Sequence, residues 1–296
     1  MKVGMTLPVT EPGWSRDTVL EWARRIEEGP FSSLALGERN VFPTPDIVSL
    51  MSACAALTER VKIVASVAIV PLHDPVLLAK QYATIDMISG GRLVLGVGVG
   101  GREEDYRAVG ADPGNRRIGE LERRVDIMRR VWAGELVVEG ILRPVEPFPV
   151  QSGGPTILAG VLGPRGLASA ARWADGVSGM AMTGDPQEAQ LAFDAAREAW
   201  RQAGRERPPI LNTATWFALG DAEAGRRQTY RHLYRYFNWM GEAREPMAQR
   251  FGFVGQASEL RDMLKRMEDL GTDEFLLIPT SLDPNEVSRV AEALAL

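Results

Sequence analysis

The segment from residue 79 to residue 100 reads AKQYATIDMISGGRLVLGVGVG and contains the signals of a helix, a helix stop and a strand in succession. In and just before its first half, apolar residues recur three and four positions apart, which predicts one buried face of a helix. These residues are Leu78, Tyr82, Ile85 and Ile88. Ser89-Gly90-Gly91 then ends the helix, because glycine permits a left-handed stop. The following run, residues 92–99, is nearly continuously apolar, as in parallel strands covered on both faces.

This helix-to-strand unit recurs along the chain. The first four apolar runs begin about thirty residues apart, the size of a strand with its crossover helix. Eight runs in all are predicted as strands: residues 2–7, 33–37, 62–70, 92–99, 156–159, 176–179, 211–219 and 274–279. Eight strands alternating with helices predict an α/β fold of the (β/α)8 barrel type, formed as one domain by residues 1–296.

Two segments are additional to the strands and helices of a minimal (β/α)8 barrel. Residues 135–154, after the fourth helix, contain three prolines and two adjacent glycines, and residues 225–255, after the seventh strand, are rich in arginine and aromatic residues. Insertions between a strand and its helix usually carry binding residues in such barrels. We therefore expect these insertions to help form a substrate pocket.

Composition limits the class of protein. The 296 residues are 45% hydrophobic and 25% charged, which is typical of a soluble globular protein. The net charge of −5 and the absence of a basic block argue against a nucleic acid partner. No apolar run reaches about 18 residues and the N-terminus has no signal-peptide layout, so we expect a cytoplasmic protein with no membrane partner.

The cysteine and the histidines give little indication of chemistry. Cys54 lies in an apolar run, which predicts a buried and inert thiol. His73 lies at a helix start and His232 among tyrosines, and neither has the spacing of a metal ligand. We therefore predict no metal site.

Residues 96–101 contain G-x-G-x-x-G directly after a strand, a pattern that is typical of dinucleotide-binding loops. The acidic run Glu103-Glu104-Asp105 follows, and it would repel a pyrophosphate at a helix N-terminus. We therefore interpret Gly98 and Gly100 as positions where a flat group lies against bare backbone.

Residues 79–100 resemble the signature of the bacterial luciferase-like monooxygenase family. Residues 159–176, AGVLGPRGLASAARWADG, and the segment from Phe253-Val254-Gly255 to Asp273-Glu274-Phe275 resemble the same family in the same order. The resemblance spans nearly the whole chain. It implies a (β/α)8 barrel that holds FMN or the deazaflavin coenzyme F420 at the C-terminal ends of the strands. It also implies the oxidation or reduction of a small organic molecule.

The resemblance further implies a phosphate site at Gly160, Leu162 and Gly163. A helix follows whose N-terminal N–H groups favour anions, and Arg165 would add a positive charge. The alternative is a helix start that binds no ligand.

The end of the third strand carries a second implied cofactor position. Ser66 and Val67 resemble the place where deazaflavin-using members carry a non-proline cis peptide that bulges against the ring. An ordinary buried strand is the alternative here.

The residues that follow the second and the fourth predicted strands differ from those of many members of the family. Glu38 and Arg39 stand where many relatives have an acidic residue and a histidine. Arginine is permanently charged and cannot relay protons near neutral pH, so we expect Arg39 to orient an anion or carbonyl, with Glu38 as the second candidate catalytic residue. The alternative for Arg39 is a surface ion pair with Glu38 or Asp46. Gly101 replaces a glutamate of the family's sugar-phosphate dehydrogenases, which argues against a sugar phosphate substrate.

Three functions stay open. The preferred one is F420-dependent hydride transfer, supported by the step at Ser66 and Val67 and by a ratio of 30 Arg to 4 Lys, since GC-rich actinobacteria often make that coenzyme. The first alternative is an FMN-dependent monooxygenase supplied by an NAD(P)H:flavin reductase. The second is a non-catalytic cofactor-binding subunit. In each case we expect a homodimer, and for the two enzymes a small-molecule substrate.

Overall fold

The computed structural model describes residues 1–295. The strands are β1 (Lys2–Thr6), β2 (Ser33–Leu36), β3 (Lys62–Ile69), β4 (Leu93–Gly98), β5 (Thr156–Ala159), β6 (Gly176–Ser178), β7 (Ile210–Leu219), β8 (Phe253–Gly255) and β9 (Glu274–Pro279). The helices are α1 (Arg16–Glu28), α2 (Ile47–Leu57), α3 (Pro75–Ser89), α4 (Glu103–Ala108), α5 (Ile118–Trp132), α6 (Pro164–Trp173), α7 (Pro186–Gln202), α8 (Ala222–Tyr236), α9 (Arg244–Arg250), α10 (Ala257–Asp269) and α11 (Asn285–Ala295).

The strands form one parallel sheet in the order β6-β5-β4-β3-β2-β1-β9-β7-β8. This is a closed eight-stranded parallel barrel with surrounding helices, and β8 is an additional strand outside it. The predicted (β/α)8 fold is therefore confirmed, and each of the eight predicted strands coincides with a barrel strand. The sequence analysis did not predict β8 as a strand.

Two compact units can be distinguished. The first contains residues 1–35, residues 179–195 and the chain from Ile210 onward. In it β9 pairs with both β1 and β7, and the last residues of β7 pair with β8. Helix α1 starts after Ser15, whose hydroxyl accepts a hydrogen bond from the N–H of Thr18, as predicted from the cap signal. The predicted insertion at 225–255 forms most of α8, all of α9 and β8, and its apolar residues pack around Trp216.

The second unit contains residues 36–178 and 196–209 and includes β3, β4, β5 and β6. The pairings β3–β4, β4–β5 and β5–β6 are all parallel. The ends of the first three of these strands carry the cofactor positions that the sequence predicts. Every candidate site residue named above therefore lies within this unit.

Helix α3 ends as the sequence predicts. Its cap, Gly90, adopts the left-handed conformation with φ 65° and donates hydrogen bonds to carbonyls of the last turn. The predicted apolar face is wrong at one position, since Ile88 is 44% exposed whereas Leu78, Tyr82 and Ile85 are fully buried. Spacing along the sequence indicates which face of a helix a side chain lies on. It does not indicate how much of that face other elements of the fold cover.

Two charged residues of the segment 79–100 hold the fold together. The carboxylate of Asp86 accepts hydrogen bonds from the backbone N–H of Val150 at 2.8 Å and of Gln151 at 3.0 Å. It thereby fastens the 135–154 insertion, which contains no helix or strand, to α3. The guanidinium of Arg92 donates hydrogen bonds to the carbonyl of Ala55, in the last turn of α2, and to the carbonyl of Thr58, just beyond that helix. These contacts give both residues a structural role within the segment 79–100.

Cys54 is fully buried in α2, and burial raises the pKa of its thiol to about 12. The predicted burial of the thiol is therefore confirmed. Among the helices of residues 1–295, none has both the length and the apolar character that a membrane span requires.

Candidate functional site

The C-terminal end of β3 departs from regular pairing. The register against β4 shifts between Ala65 and Ala68, so the two residues between them form a bulge. The peptide bond between Ser66 and Val67 is cis, as the family resemblance implies.

The side chain of Val67 lies against three glycines from the two neighbouring strand ends. A Cβ atom added to any of them would approach a methyl group of Val67 to 3.1 Å or less. The three are Gly96 and Gly98 on β4 and Gly160 after β5. We call Val67 and these glycines the platform. Gly98 and Gly160 are therefore required first to make room for Val67, whereas a Cβ on Gly96 would first meet the carbonyl oxygen of Ala65 at 2.4 Å. The sequence pattern could not show these contacts.

Gly100 has a separate explanation. Its φ is +67°, and an added Cβ would lie 2.9 Å from the Cδ1 atom of Ile69. Both the left-handed backbone and the contact with Ile69 require glycine here. This position needs no ligand to account for it.

The start of α6 is open. Gly163 is its N-cap, with φ −124° and ψ 164°, and no side chain caps the helix. A Cβ on Gly163 would meet no atom within 4 Å. Arg165 in the first turn is exposed and forms no ion pair within residues 1–295, and Leu162 is 77% exposed. Free N–H groups, the helix dipole and an available cation make this end suitable for an anion.

The residues after β2 form a loop, residues 37–46, which we call the β2 loop. Arg39 is only 4% exposed, and its guanidinium carbon lies 3.8 Å from the centre of the Phe42 ring. Arg39 is therefore not at the surface, and its ion pair with Glu38 or Asp46 stays an alternative. Glu38 is also buried, and its carboxylate accepts the N–H of Ile69 at 2.5 Å and contacts Nε2 of His73 at 2.7 Å.

The pairing of Glu38 with His73 was missed at the sequence level. Burial lowers the pKa of His73, but the hydrogen bond to Glu38 and the charges of Glu38 and Asp46 more than offset it, so the pKa is raised overall. His73 also lines a groove of about 530 Å³. The two residues are 35 positions apart. They follow consecutive strands, so strand order was the signal that could have predicted their contact.

Asp105 in α4 is a second residue that the sequence analysis interpreted incompletely. As expected, α4 starts with an acidic turn. Asp105, however, is fully buried and accepts the backbone N–H groups of Asn40 at 2.9 Å and Val41 at 2.8 Å. Its other carboxylate oxygen accepts Nε of Arg102 at 2.7 Å. Asp105 thus contacts the β2 loop rather than solvent.

Comparison with known proteins identifies the family. The model of the luciferase-like monooxygenase family matches residues 1–280. The chain belongs to this family. An uncharacterized protein of Mycobacterium tuberculosis is 31% identical over 190 residues, which cover 58% of this chain and 66% of that protein, just under two thirds of its length.

Two solved structures share the luciferase-like fold. Monooxygenase RslO1 from Streptomyces bottropensis has a TM-score of 0.83 and 23% identity, covering 100% of this chain and 99% of that one. An F420-dependent secondary alcohol dehydrogenase has a TM-score of 0.79 and 17% identity, covering 99% and 98% respectively.

The luciferase-like family consists of oxidoreductases that use flavin or F420 cofactors. The site described above fits such a group. In the platform only Val67 carries a side chain, because its other three members are glycines, and the α6 N-terminus offers N–H donors and Arg165 to a phosphate. Both features lie at the ends of neighbouring parallel strands, where α/β barrels bind their ligands.

Proposed function

We propose that the chain binds coenzyme F420 across the ends of β3, β4 and β5 and transfers hydride between it and a small organic molecule. The observation that carries this proposal is the platform, formed where Val67 bulges over Gly96, Gly98 and Gly160. A flat ring needs such a surface. Its phosphate needs an anion site nearby, and the open α6 N-terminus begins four residues after Gly160 on the same strand end.

Each part of the site has a distinct binding role in this proposal. Val67 supports one face of the ring and so leaves the other face for the substrate. Gly98 and Gly160 keep the backbone close to the ring, and the first-turn N–H groups of α6 together with Arg165 hold the phosphate. When bound, F420 supplies a ring carbon that accepts or donates a hydride. The protein supplies orientation and electrostatics.

Arg39 is the residue that we assign to substrate orientation. Its charge is permanent, so it stabilises an anionic or carbonyl oxygen and does not exchange the proton. Glu38, the other candidate catalytic residue, has both carboxylate oxygens engaged by Ile69 and His73. We therefore assign Glu38 to holding the β2 loop in place.

The second candidate function is FMN-dependent monooxygenation. The platform and the α6 N-terminus fit the ring and phosphate of FMN by the same argument, and a luciferase-like protein of that type receives reduced flavin from an NAD(P)H:flavin reductase. The solved structure of RslO1, named as a monooxygenase, has the higher TM-score of the two described above. At this identity it shows the fold alone.

Hydrogen–deuterium exchange tests the proposed site. Oxidised F420 and FMN are added separately to the purified protein, and exchange is followed by peptide mass spectrometry. We expect F420 to slow exchange in residues 160–167 and 96–101. Protection confined to the groove lined by His73 and Arg124, or no protection with F420, would overturn the proposal. Protection of the same residues by FMN alone would favour the monooxygenase.

A further inference from the structure

We propose that Asp105 is a positioning residue that fixes Arg39 in the site. The inference rests on the proposed function for the role of Arg39, but the contacts that support it do not. Asp105 belongs to α4, which follows the glycine-rich end of β4, whereas Arg39 belongs to the β2 loop. Asp105 is thus a direct link from the cofactor side of the site to the residue assigned to the substrate.

The first step of the inference is the bond pattern of Asp105. One carboxylate oxygen accepts two consecutive backbone N–H groups, those of Asn40 and Val41, which immediately follow Arg39. Two bonds to adjacent amides fix the direction of the chain as well as its position. The Asp105 carboxylate is fully buried and the two bonds are part-buried, so water competes with them less than with exposed ones.

The second step is the anchoring of α4 itself. The hydroxyl of Tyr106 donates to the carbonyl of Val99 at 2.7 Å, and Nε of Arg102 donates to Asp105 at 2.7 Å. The first contact holds the short helix against the residue that follows β4, the strand that contributes Gly96 and Gly98 to the platform, and the second holds the Asp105 side chain from the N-cap of its own helix. A carboxylate presented from a fixed helix can hold the β2 loop, whereas one on a mobile segment could not.

The third step concerns the side chain of Arg39. Its guanidinium stacks on Phe42, and its carbonyl accepts a hydrogen bond from the hydroxyl of Thr44. Both partners lie beyond Val41, so releasing the two amides held by Asp105 frees the backbone between Arg39 and the ring that supports it. We therefore expect the loss of Asp105 to change the surroundings of the guanidinium.

A matched control is present in the same unit. Asp86 is also fully buried and also accepts two consecutive backbone N–H groups, those of Val150 and Gln151. It holds the 135–154 insertion and makes no contact with the β2 loop among its hydrogen bonds. Asp86→Ala therefore removes the same chemistry from a different segment of the chain.

The test uses the Nε–H signal of Arg39 in the ¹⁵N–¹H spectrum of the full chain, assigned by its loss in Arg39→Lys. We expect Asp105→Ala to shift or broaden this signal and to speed amide exchange at Asn40 and Val41 roughly tenfold or more. Asp105→Asn loses the bond from Arg102 but retains an oxygen that can accept both amides, so it should restore the signal. Asp86→Ala should leave the signal unchanged. Asp105→Ser, which is too short to hold both amides, replaces the alanine variant if that one does not fold.

An unchanged Arg39 signal in folded Asp105→Ala or Asp105→Ser would overturn the inference, as would an equal change in Asp86→Ala. Adding F420 separates this result from the proposed function. We expect the wild type and Asp105→Asn to bind F420 equally well. Failure of the wild type to bind F420 contradicts the proposed function alone, because the Arg39 signal of the free protein still decides the role of Asp105.

Discussion

Replacing Gly163 with aspartate separates cofactor binding from folding at the α6 N-terminus. Gly163 has an extended backbone and empty space where a Cβ would be, so the aspartate fits without strain. Aspartate is also a preferred N-cap, so the variant should be as stable as the wild type or more stable by a few tenths of a kcal/mol. The same carboxylate occupies the N–H donors and repels a phosphate. Two charges about 5 Å apart repel by about 1 kcal/mol in water and about 3 kcal/mol at an effective dielectric of about 20.

We therefore expect Gly163→Asp to weaken F420 binding at least tenfold, which is about 1.4 kcal/mol, with an unchanged or raised melting temperature. Equilibrium titration and thermal unfolding of the same preparation measure both quantities. Gly119→Asp is the control, because Gly119 lies in the first turn of α5, is exposed and also has open space for a Cβ. Unchanged F420 affinity in Gly163→Asp, or an equal loss in Gly119→Asp, would refute the phosphate site.

Three further predictions concern other residues. Arg39→Ala should leave F420 affinity unchanged and lower kcat/KM, for any substrate that the wild type turns over, by a factor equivalent to about 2–4 kcal/mol of transition-state stabilisation. Arg39→Lys should restore only part of the lost activity, and normal turnover by Arg39→Ala would show that Arg39 has no part in the reaction. The pKa of His73 in the folded protein is raised. The contribution of His73 to the stability of the fold is therefore complete below its unfolded pKa of about 6.5, and it is lost as pH rises through the folded pKa. The wild type should therefore exceed His73→Asn in melting temperature more at about pH 5.5 than at about pH 9; the opposite trend would contradict the Glu38 pairing. The thiol of Cys54, with a pKa of about 12, should not react with a thiol reagent in the folded protein at neutral pH, and its rapid reaction would contradict the burial.

The barrel could be predicted from the sequence because its signals are local. Apolar runs of strand length and helix stops such as Gly90 recur at a regular interval, and each is read without knowing its neighbours. The strand β8 was missed because its three residues lie inside the segment 225–255, which the sequence analysis interpreted as an insertion. Ile88 was misplaced because the extent of a covering layer depends on other parts of the chain.

The site was predicted less completely because its contacts join distant residues. The glycines of the platform were recognised as necessary, but their partner Val67 lies on another strand. The sequence analysis considered only the sequence neighbours of Glu38 and Asp105. It interpreted Glu38 as a candidate catalytic residue and Asp105 as part of an acidic run. Their actual partners, His73 and the amides after Arg39, lie at the ends of other elements. Only the order of the strands brings them together.

Parallel titration of the purified protein with oxidised F420 and with FMN, in the same buffer and at the same salt concentration, tests the proposed cofactor most directly. We expect F420 to bind with a Kd at least tenfold lower than that of FMN, a difference of about 1.4 kcal/mol. Tight binding of FMN with no detectable binding of F420 would contradict the proposal of F420-dependent hydride transfer.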